Sequence, residues 1–257
     1  MGFSEERHDI NGIDTAVFTA GEGEPLVFLH GAGTALGFDS LLPLAERVRL
    51  IVPHHPGFGE SADDPSIDSF SDYVLHYLDL FDRLGLDEFA LAGHSMGGYL
   101  ASNIAIAQPH RVRRLVLAAP FGLWAREHTT VDFFSIPDEE VVPMLTADPS
   151  IFAGIELPPT PEFLSERYRE STSFARIAWK RPYDSKLAGW LHRLTMPTLL
   201  VWGDADRLIP VEQAAIWAAA IPNAETKVFP GLGHLLFDES RGAVDAVGDF
   251  VGGGVAA

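Results

Sequence analysis

An apolar run, Phe89-Ala90-Leu91-Ala92, stops at Gly93-His94-Ser95-Met96-Gly97, and a helix-like stretch from Tyr99 to Gln108 follows at once. The pattern G-x-S-x-G in a strand–turn–helix context holds a serine oxygen out on a sharp, strained corner. Glycines flank it because a Cβ would clash there. The helix that follows aims its free N–H groups and positive dipole end at the same spot. Ser95 reads as a nucleophile placed where an oxyanion can be stabilised. The five letters alone would also fit a plain turn, so the rest of the chain has to decide.

The rest of the chain alternates. Short apolar runs at Thr15 to Ala20, Leu26 to Leu29, Leu50 to Pro53, Phe89 to Ala92, Leu115 to Leu117, Thr198 to Trp202 and Thr226 to Phe229 are punctuated by Gly and Pro. Helical patterns lie between most of them: about 70–84, with Val74, Leu75, Leu78 and Phe81 on one face, then 95–108, 211–220 and 239–251. Strands alternating with helices predict an α/β fold with a mostly parallel sheet covered on both faces. Asn11-Gly12 separates two strand-like segments, roughly 4–9 and 14–20, so the sheet is expected to begin with an antiparallel hairpin. The rhythm breaks between about Phe121 and His192, a stretch rich in Pro, Phe, Trp, Arg and Glu without clear strands. Its aromatic content argues against disorder. The expected organisation is a core of residues 1–120 and 193–257 with a helical cap, 121–192, inserted between two strands. The Gly-rich tail, 252–257, is expected to fray.

The composition excludes several classes of function. None of the 257 residues is cysteine, which removes disulfides, thiolate metal sites and a cysteine nucleophile. A formal net charge of −18 disfavours nucleic acid and anionic membranes as partners. The N-terminal stretch has no basic start followed by an apolar run, and no stretch is apolar for the length of a membrane span. The expectation is a cytoplasmic protein acting on a small molecule.

A serine hydroxyl needs a base, and the base needs an orienting acid. Gly203-Asp204-Ala205-Asp206 directly follows the strand 198–202, and Gly233-His234 follows the strand 226–229 through Pro230-Gly231-Leu232. Loops after parallel strands face one sheet edge, the edge where such sheets bind ligands. Asp206 lies further along its loop and is taken as the orienting acid, with Asp204 shaping the turn. Ser95, Asp206 and His234 then form a triad in the chain order Ser…Asp…His. The loop His30-Gly31-Ala32-Gly33 ends another strand, and the N–H groups of Ala32 and Met96 are assigned to the oxyanion hole. His30 braces its loop, His94 packs locally, and His54-His55 lacks a third residue at metal-ligand spacing, so no metal site is expected.

These motifs resemble the α/β-hydrolase superfamily over nearly the whole chain: His30-Gly31-Ala32-Gly33, Pro56-Gly57-Phe58-Gly59-Glu60-Ser61, Gly93-His94-Ser95-Met96-Gly97-Gly98, and Gly203-Asp204-Ala205-Asp206 with Gly233-His234. The resemblance implies an eight-stranded, mostly parallel sheet, a cap between its sixth and seventh strands, and no cofactor. Serine at the elbow sets the chain apart from the epoxide hydrolases and haloalkane dehalogenases, which carry aspartate there. The Ser-Met-Gly-Gly elbow is similar to that of the hydrolases of ring-cleavage products. Those usually carry tryptophan after the catalytic histidine, where this chain has Leu235, and set a cap arginine against a substrate carboxylate; Arg167, Arg169, Arg176 and Arg181 are the candidates. The expected activity is hydrolysis of a small carboxylic ester or lactone through an acyl-enzyme. The alternatives are C–C bond hydrolysis of a vinylogous keto acid, acyl transfer to an alcohol or peroxide, and a non-enzymatic receptor. Trp124, Phe133, Phe134 and Trp179 are expected to wall a mostly apolar substrate pocket.

Overall fold

The computed structural model of the chain describes residues 2–155 and 159–253; of the tail expected to fray, residues 254–257 lie outside the described residues. Strands β1 (Ser4–Ile10) and β2 (Ile13–Ala20) form the antiparallel hairpin expected from Asn11-Gly12. Both turn residues take positive φ, 53° and 90°, as the tight turn between twisted strands requires. There follow β3 (Pro25–Leu29), β4 (Arg49–Pro53), helix α1 (Phe70–Arg83), β5 (Phe89–His94), α2 (Met96–Ala107) and β6 (Val112–Ala118). After an insertion the sheet resumes with β9 (Thr198–Gly203), α6 (Gln213–Ala220) and β10 (Ala224–Phe229), and the chain closes with α7 (Leu236–Glu239) and α8 (Arg241–Gly252). The insertion holds β7 (Gly122–Leu123), α3 (Asp138–Leu145), α4 (Pro161–Ala178), β8 (Tyr183–Asp184) and α5 (Leu187–Trp190).

Eight strands form one sheet in the order β1-β2-β4-β3-β5-β6-β9-β10. β1, β2 and β4 pair antiparallel, and every pair from β4 to β10 is parallel. The central strands alternate between two apolar clusters, as a period of two demands for a sheet buried on both faces. Val27 and Leu29, Leu115 and Leu117, and Leu200 and Trp202 face the cluster that includes α1, α2 and Trp217. Leu26 and Phe28, Val116 and Ala118, and Leu199 and Val201 face the cluster closed by Val244 and Val247 of α8.

Two expectations need correction. α1 spans almost the predicted range, but its buried face is Tyr73, His76, Tyr77, Leu80 and Phe81, whereas Leu75 is 60% exposed. The two tyrosines are core residues because each hydroxyl finds an internal acceptor, Tyr73 at the Pro56 carbonyl (2.9 Å) and Tyr77 at His55 Nδ1. The insertion also contains strands. β7 and β8, two residues each, pair in parallel at its exit and return.

Candidate active site

Four loops meet at the C-terminal edge of the sheet. Between β5 and α2, Ser95 takes φ 54° and ψ −117°, a conformation costly for a residue with a Cβ. The corner is held from both sides: the Ser95 N–H donates to the Ala118 carbonyl at the end of β6, and the Ser95 carbonyl accepts from Phe121 and Tyr99, at 2.9, 2.9 and 3.1 Å. A Cβ on Gly97 would collide with the Leu29 carbonyl, and one on Gly93 with the Gly97 carbonyl. The elbow can therefore sit this close to β3 and to its own helix only with glycine on both sides of the serine.

The loop after β3 lies against the elbow. A Cβ on Gly31 would come within 3.3 Å of His94 Nδ1 and 3.5 Å of Ser95 Cβ. The Ala32 and Met96 N–H groups make no backbone hydrogen bond among the described residues. A cluster of neutral histidines braces this loop from below. His30 donates from Nδ1 to the Gly31 carbonyl (2.7 Å) and accepts at Nε2 from the His55 N–H (3.0 Å). His55 returns a bond from Nε2 to the His30 carbonyl (2.7 Å), and His54 Nδ1 accepts from the Glu60 N–H (2.9 Å). Burial, reinforced by the neighbouring imidazoles, holds His30 well below its ordinary range, and burial takes His55 to about 3 and His54 to about 4.

The loops after β9 and β10 bring a carboxylate to an imidazole. Asp206 Oδ2 accepts from His234 Nδ1 at 2.8 Å, while Oδ1 accepts from the Leu208 and Ile209 N–H groups at 2.9 and 2.8 Å. Both side chains are almost fully buried. Asp204 is engaged elsewhere: its Oδ1 accepts from the Gly231 N–H at 2.6 Å in the turn after β10. His94 donates from Nε2 to the His234 carbonyl at 2.8 Å, tying the serine elbow to the histidine loop, and burial lowers its pKa to about 3. Ser95 and His234 line one cavity of about 180 Å³; Ser95 Oγ makes no hydrogen bond among the described residues.

This constellation on this sheet has clear relatives. Residues 26–247 match the alpha/beta hydrolase family. The chain belongs to that family. It is 29% identical to a 2-hydroxy-6-oxo-2,4-heptadienoate hydrolase of Pseudomonas putida, over 93% of each chain. It is 30% identical to a 2-hydroxy-6-oxo-6-phenylhexa-2,4-dienoate hydrolase of Burkholderia cepacia, over 84% of this chain and 82% of that one. Among solved structures, a serine hydrolase from the polyaromatic hydrocarbon-degrading bacterium Cycloclasticus zankles superposes with a TM-score of 0.81 at 21% identity, covering 97% and 98% of the two chains.

The walls of the cavity in this α/β-hydrolase differ from those expected. Of the four aromatic residues assigned to it, Phe133 lines the cavity, beside Phe121, Phe152 and Phe174. Phe134 instead packs between Phe174 and Trp179. Trp179 is 65% exposed, and Trp124 is 46% exposed and lies on the Tyr183 ring. These three are absent from the lining: Trp124 and Trp179 are turned largely to solvent, and the half-buried Phe134 is spent on other rings.

The four arginines also lie elsewhere. Arg167 pairs with Glu170 (2.6 Å) and Glu166, Arg169 donates to the Gly59 carbonyl, Arg176 forks onto Asp63 (3.0 and 3.1 Å), and Arg181 stacks over Tyr183. Much of this forms a latch between α4 and the core. Its centre is the buried Glu170, which accepts from Thr34 Oγ1 (2.5 Å) and the Gly59 N–H (3.0 Å); burial raises its pKa. No Lys or Arg is among the described residues that line the cavity. Three carboxylates here escaped the reading of the sequence: Glu170; Glu239, which accepts from the Gly233 N–H (3.0 Å) beside His234; and Asp238, which lines the cavity. The only signal for the last two is an acidic pair set directly after the apolar Leu235-Leu236-Phe237. No helix among the described residues is long and apolar enough to cross a membrane.

Proposed function

We propose that this α/β-hydrolase cleaves a small carboxylic ester or lactone without a free carboxylate, through an acyl-enzyme on Ser95, His234 and Asp206. The observation that carries the choice of substrate is the cavity wall, which is mostly apolar, holds no cation among the described residues and includes one carboxylate. A carbonyl compound without a carboxylate of its own fits such a wall, and a free carboxylate does not.

Ser95 Oγ attacks the carbonyl carbon as His234 Nε2 takes its proton. The Asp206 carboxylate, bonded to Nδ1 at 2.8 Å, fixes the ring's tautomer and stabilises the imidazolium. The developing oxyanion takes up the Ala32 and Met96 N–H groups. The alcohol then departs with the proton from His234. Water attacks the acyl-enzyme with His234 again accepting the proton, and Ser95 leaves with that proton restored. The Ser95–His234 hydrogen bond forms as substrate seats. No step calls for a cofactor or metal. The insertion 121–192 serves as the cap, contributing Phe133, Phe152 and Phe174 to the acyl pocket.

A second reading, hydrolysis of a C–C bond, draws on the relatives from Pseudomonas putida and Burkholderia cepacia, whose names give dienoate substrates. Such a substrate brings a carboxylate, for which this cavity offers no cationic partner among the described residues. Initial rates on p-nitrophenyl acetate, butyrate and octanoate, beside a dienoate ring-cleavage product, separate the two. We expect fast turnover of the short esters, lost by about 10⁶-fold in Ser95→Ala. Turnover confined to the dienoate sinks the ester reading, and near-wild-type esterase activity in Ser95→Ala sinks the nucleophile.

A further inference from the structure

Among the described residues, Asp238 is the one carboxylate in the cavity wall, and the mechanism leaves it unused. It sits on α7, four residues after His234, between the apolar Phe237 and the loop-bracing Glu239. Ser40, from the segment after β3, donates from Oγ to Asp238 Oδ1 at 2.9 Å. Among the described residues Oδ2 has no hydrogen-bond partner, and no cation pairs with the side chain. Phe28 and Phe237, with ring centroids 5.7 Å apart, line the same cavity. A charged group set among such neighbours is costly unless something pairs with it. Burial raises its pKa, with Glu239 adding to the rise and the Ser40 hydroxyl opposing it. His30 and His94, which line the same cavity, supply no compensating charge, because burial lowers their pKa.

We infer that Asp238 is a specificity-determining subsite that binds a hydrogen-bond donor on the substrate, an ammonium above a hydroxyl, and excludes a carboxylate. Oδ1 is held by Ser40, so Oδ2 is the oxygen that meets the ligand. The subsite shares one cavity with Ser95, so the donor sits on the same small molecule that presents its carbonyl to the serine. This rests on the ester-hydrolase reading for its meaning, but not for its test.

The test is calorimetric titration of n-pentylammonium, 1-pentanol and pentanoate into the Ser95→Ala protein, which binds without turnover. Three ligands of one length differ only in the group offered to Asp238. The expected order is pentylammonium tightest, pentanol intermediate and pentanoate at least tenfold weaker than pentylammonium. The net charge of −18 attracts ammonium anywhere on the surface, so the decisive quantity is the pentylammonium-to-pentanoate affinity ratio with and without Asp238→Asn. We expect that ratio to fall at least tenfold in Ser95→Ala/Asp238→Asn. An unchanged ratio, or equal weakening of all three ligands, overturns the subsite. Ser40→Ala in the same background frees the second oxygen and guards against a misfolded Asn variant; the ratio should hold or rise, and its collapse overturns the subsite as well. Failure of all three ligands to bind, with ester turnover intact in the wild type, removes the subsite and leaves the ester reading standing. The expected binding order with no ester turnover does the reverse.

Discussion

The edge of the sheet beneath the cavity is fixed by backbone geometry and neutral, hydrogen-bonded histidines, whereas the insertion above it is tied down by charged side chains. Below, the Ser95 corner is clamped by three main-chain hydrogen bonds, and His30, His55 and His94 each bond a main-chain carbonyl. Above, α4 reaches the core through Glu170, Arg167, Arg169 and Arg176, and α3 through main-chain contacts such as the Leu235 N–H to the Leu145 carbonyl (2.9 Å). The lower region has one arrangement available to it. The upper region depends on ion pairs, which water and salt can weaken. The serine corner thus lies in the stiff part, while Phe133, Phe152 and Phe174 of the cavity wall lie in the part that can be retuned.

Acid should break the lower region first, and with it the whole fold. Burial holds His54 and His76 near 4, His55 and His94 near 3, and His30 well below its usual range, against about 6.5 in the unfolded chain. Their contribution to stability is complete above pH ~6.5 and is lost as pH falls from there toward the folded-state values. Each lost imidazole contributes about 1.4 kcal/mol per pH unit, against a total of roughly 5–15 kcal/mol. Glu170 and Asp238, whose values burial raises, oppose the trend, two groups against five. Melting temperature measured from pH 8 to 4.5 should fall steadily below 6.5. A flat profile down to pH 5 would mean that the histidines are not buried neutral.

Asp206→Asn should leave the fold standing and lower kcat by about 10⁴-fold, measured on p-nitrophenyl butyrate. A larger loss in Asp204→Asn would place the orienting acid in the turn instead. Glu170→Gln should do the opposite, loosening the insertion while sparing the chemistry. It weakens the pair with Arg167 and should cost about 1–3 kcal/mol, seen as faster proteolysis within 121–192 ahead of global unfolding. Simultaneous loss of insertion and core would show the two regions to be one cooperative unit. Smallest of all, Phe133→Ala should shift acyl-length preference by about tenfold, whereas Trp179→Ala should leave it unchanged and alter stability by less than about 0.5 kcal/mol. Equal shifts from both would return Trp179 to the cavity.

The same division separates what could be read from the sequence from what could not. Gly93, Gly97, Asn11 and Gly12 answer local steric requirements, so the elbow, the hairpin and the strands around them were legible one residue at a time. Asp206 was chosen over Asp204 by its place along a short loop. The faces of α1 were not legible, because aliphatic Leu75 outweighed Tyr73 and Tyr77, whose burial depends on acceptors supplied by Pro56 and His55, distant in the chain. Likewise aromatic composition could mark 121–192 as folded without saying which rings face inward. Phe133 and Phe134 are adjacent, yet only the first lines the cavity. Thr34 and Gly59, which bond Glu170, and Ser40, which bonds Asp238, lie more than a hundred residues away, so little near them in the chain announces these contacts.

Gly122-Leu123 and Tyr183-Asp184, the exit and return of the insertion, are hydrogen-bonded to each other. That pairing turns everything between them into a loop with its ends already joined. Doubling the length of such a loop costs only about 0.6 kcal/mol of closure entropy, and the parallel strands beyond the joint need not register the change. The little ladder therefore works as a coupling flange: a different lid, longer or shorter, can be bolted to the same two short strands and inherit a reactive centre already in working order.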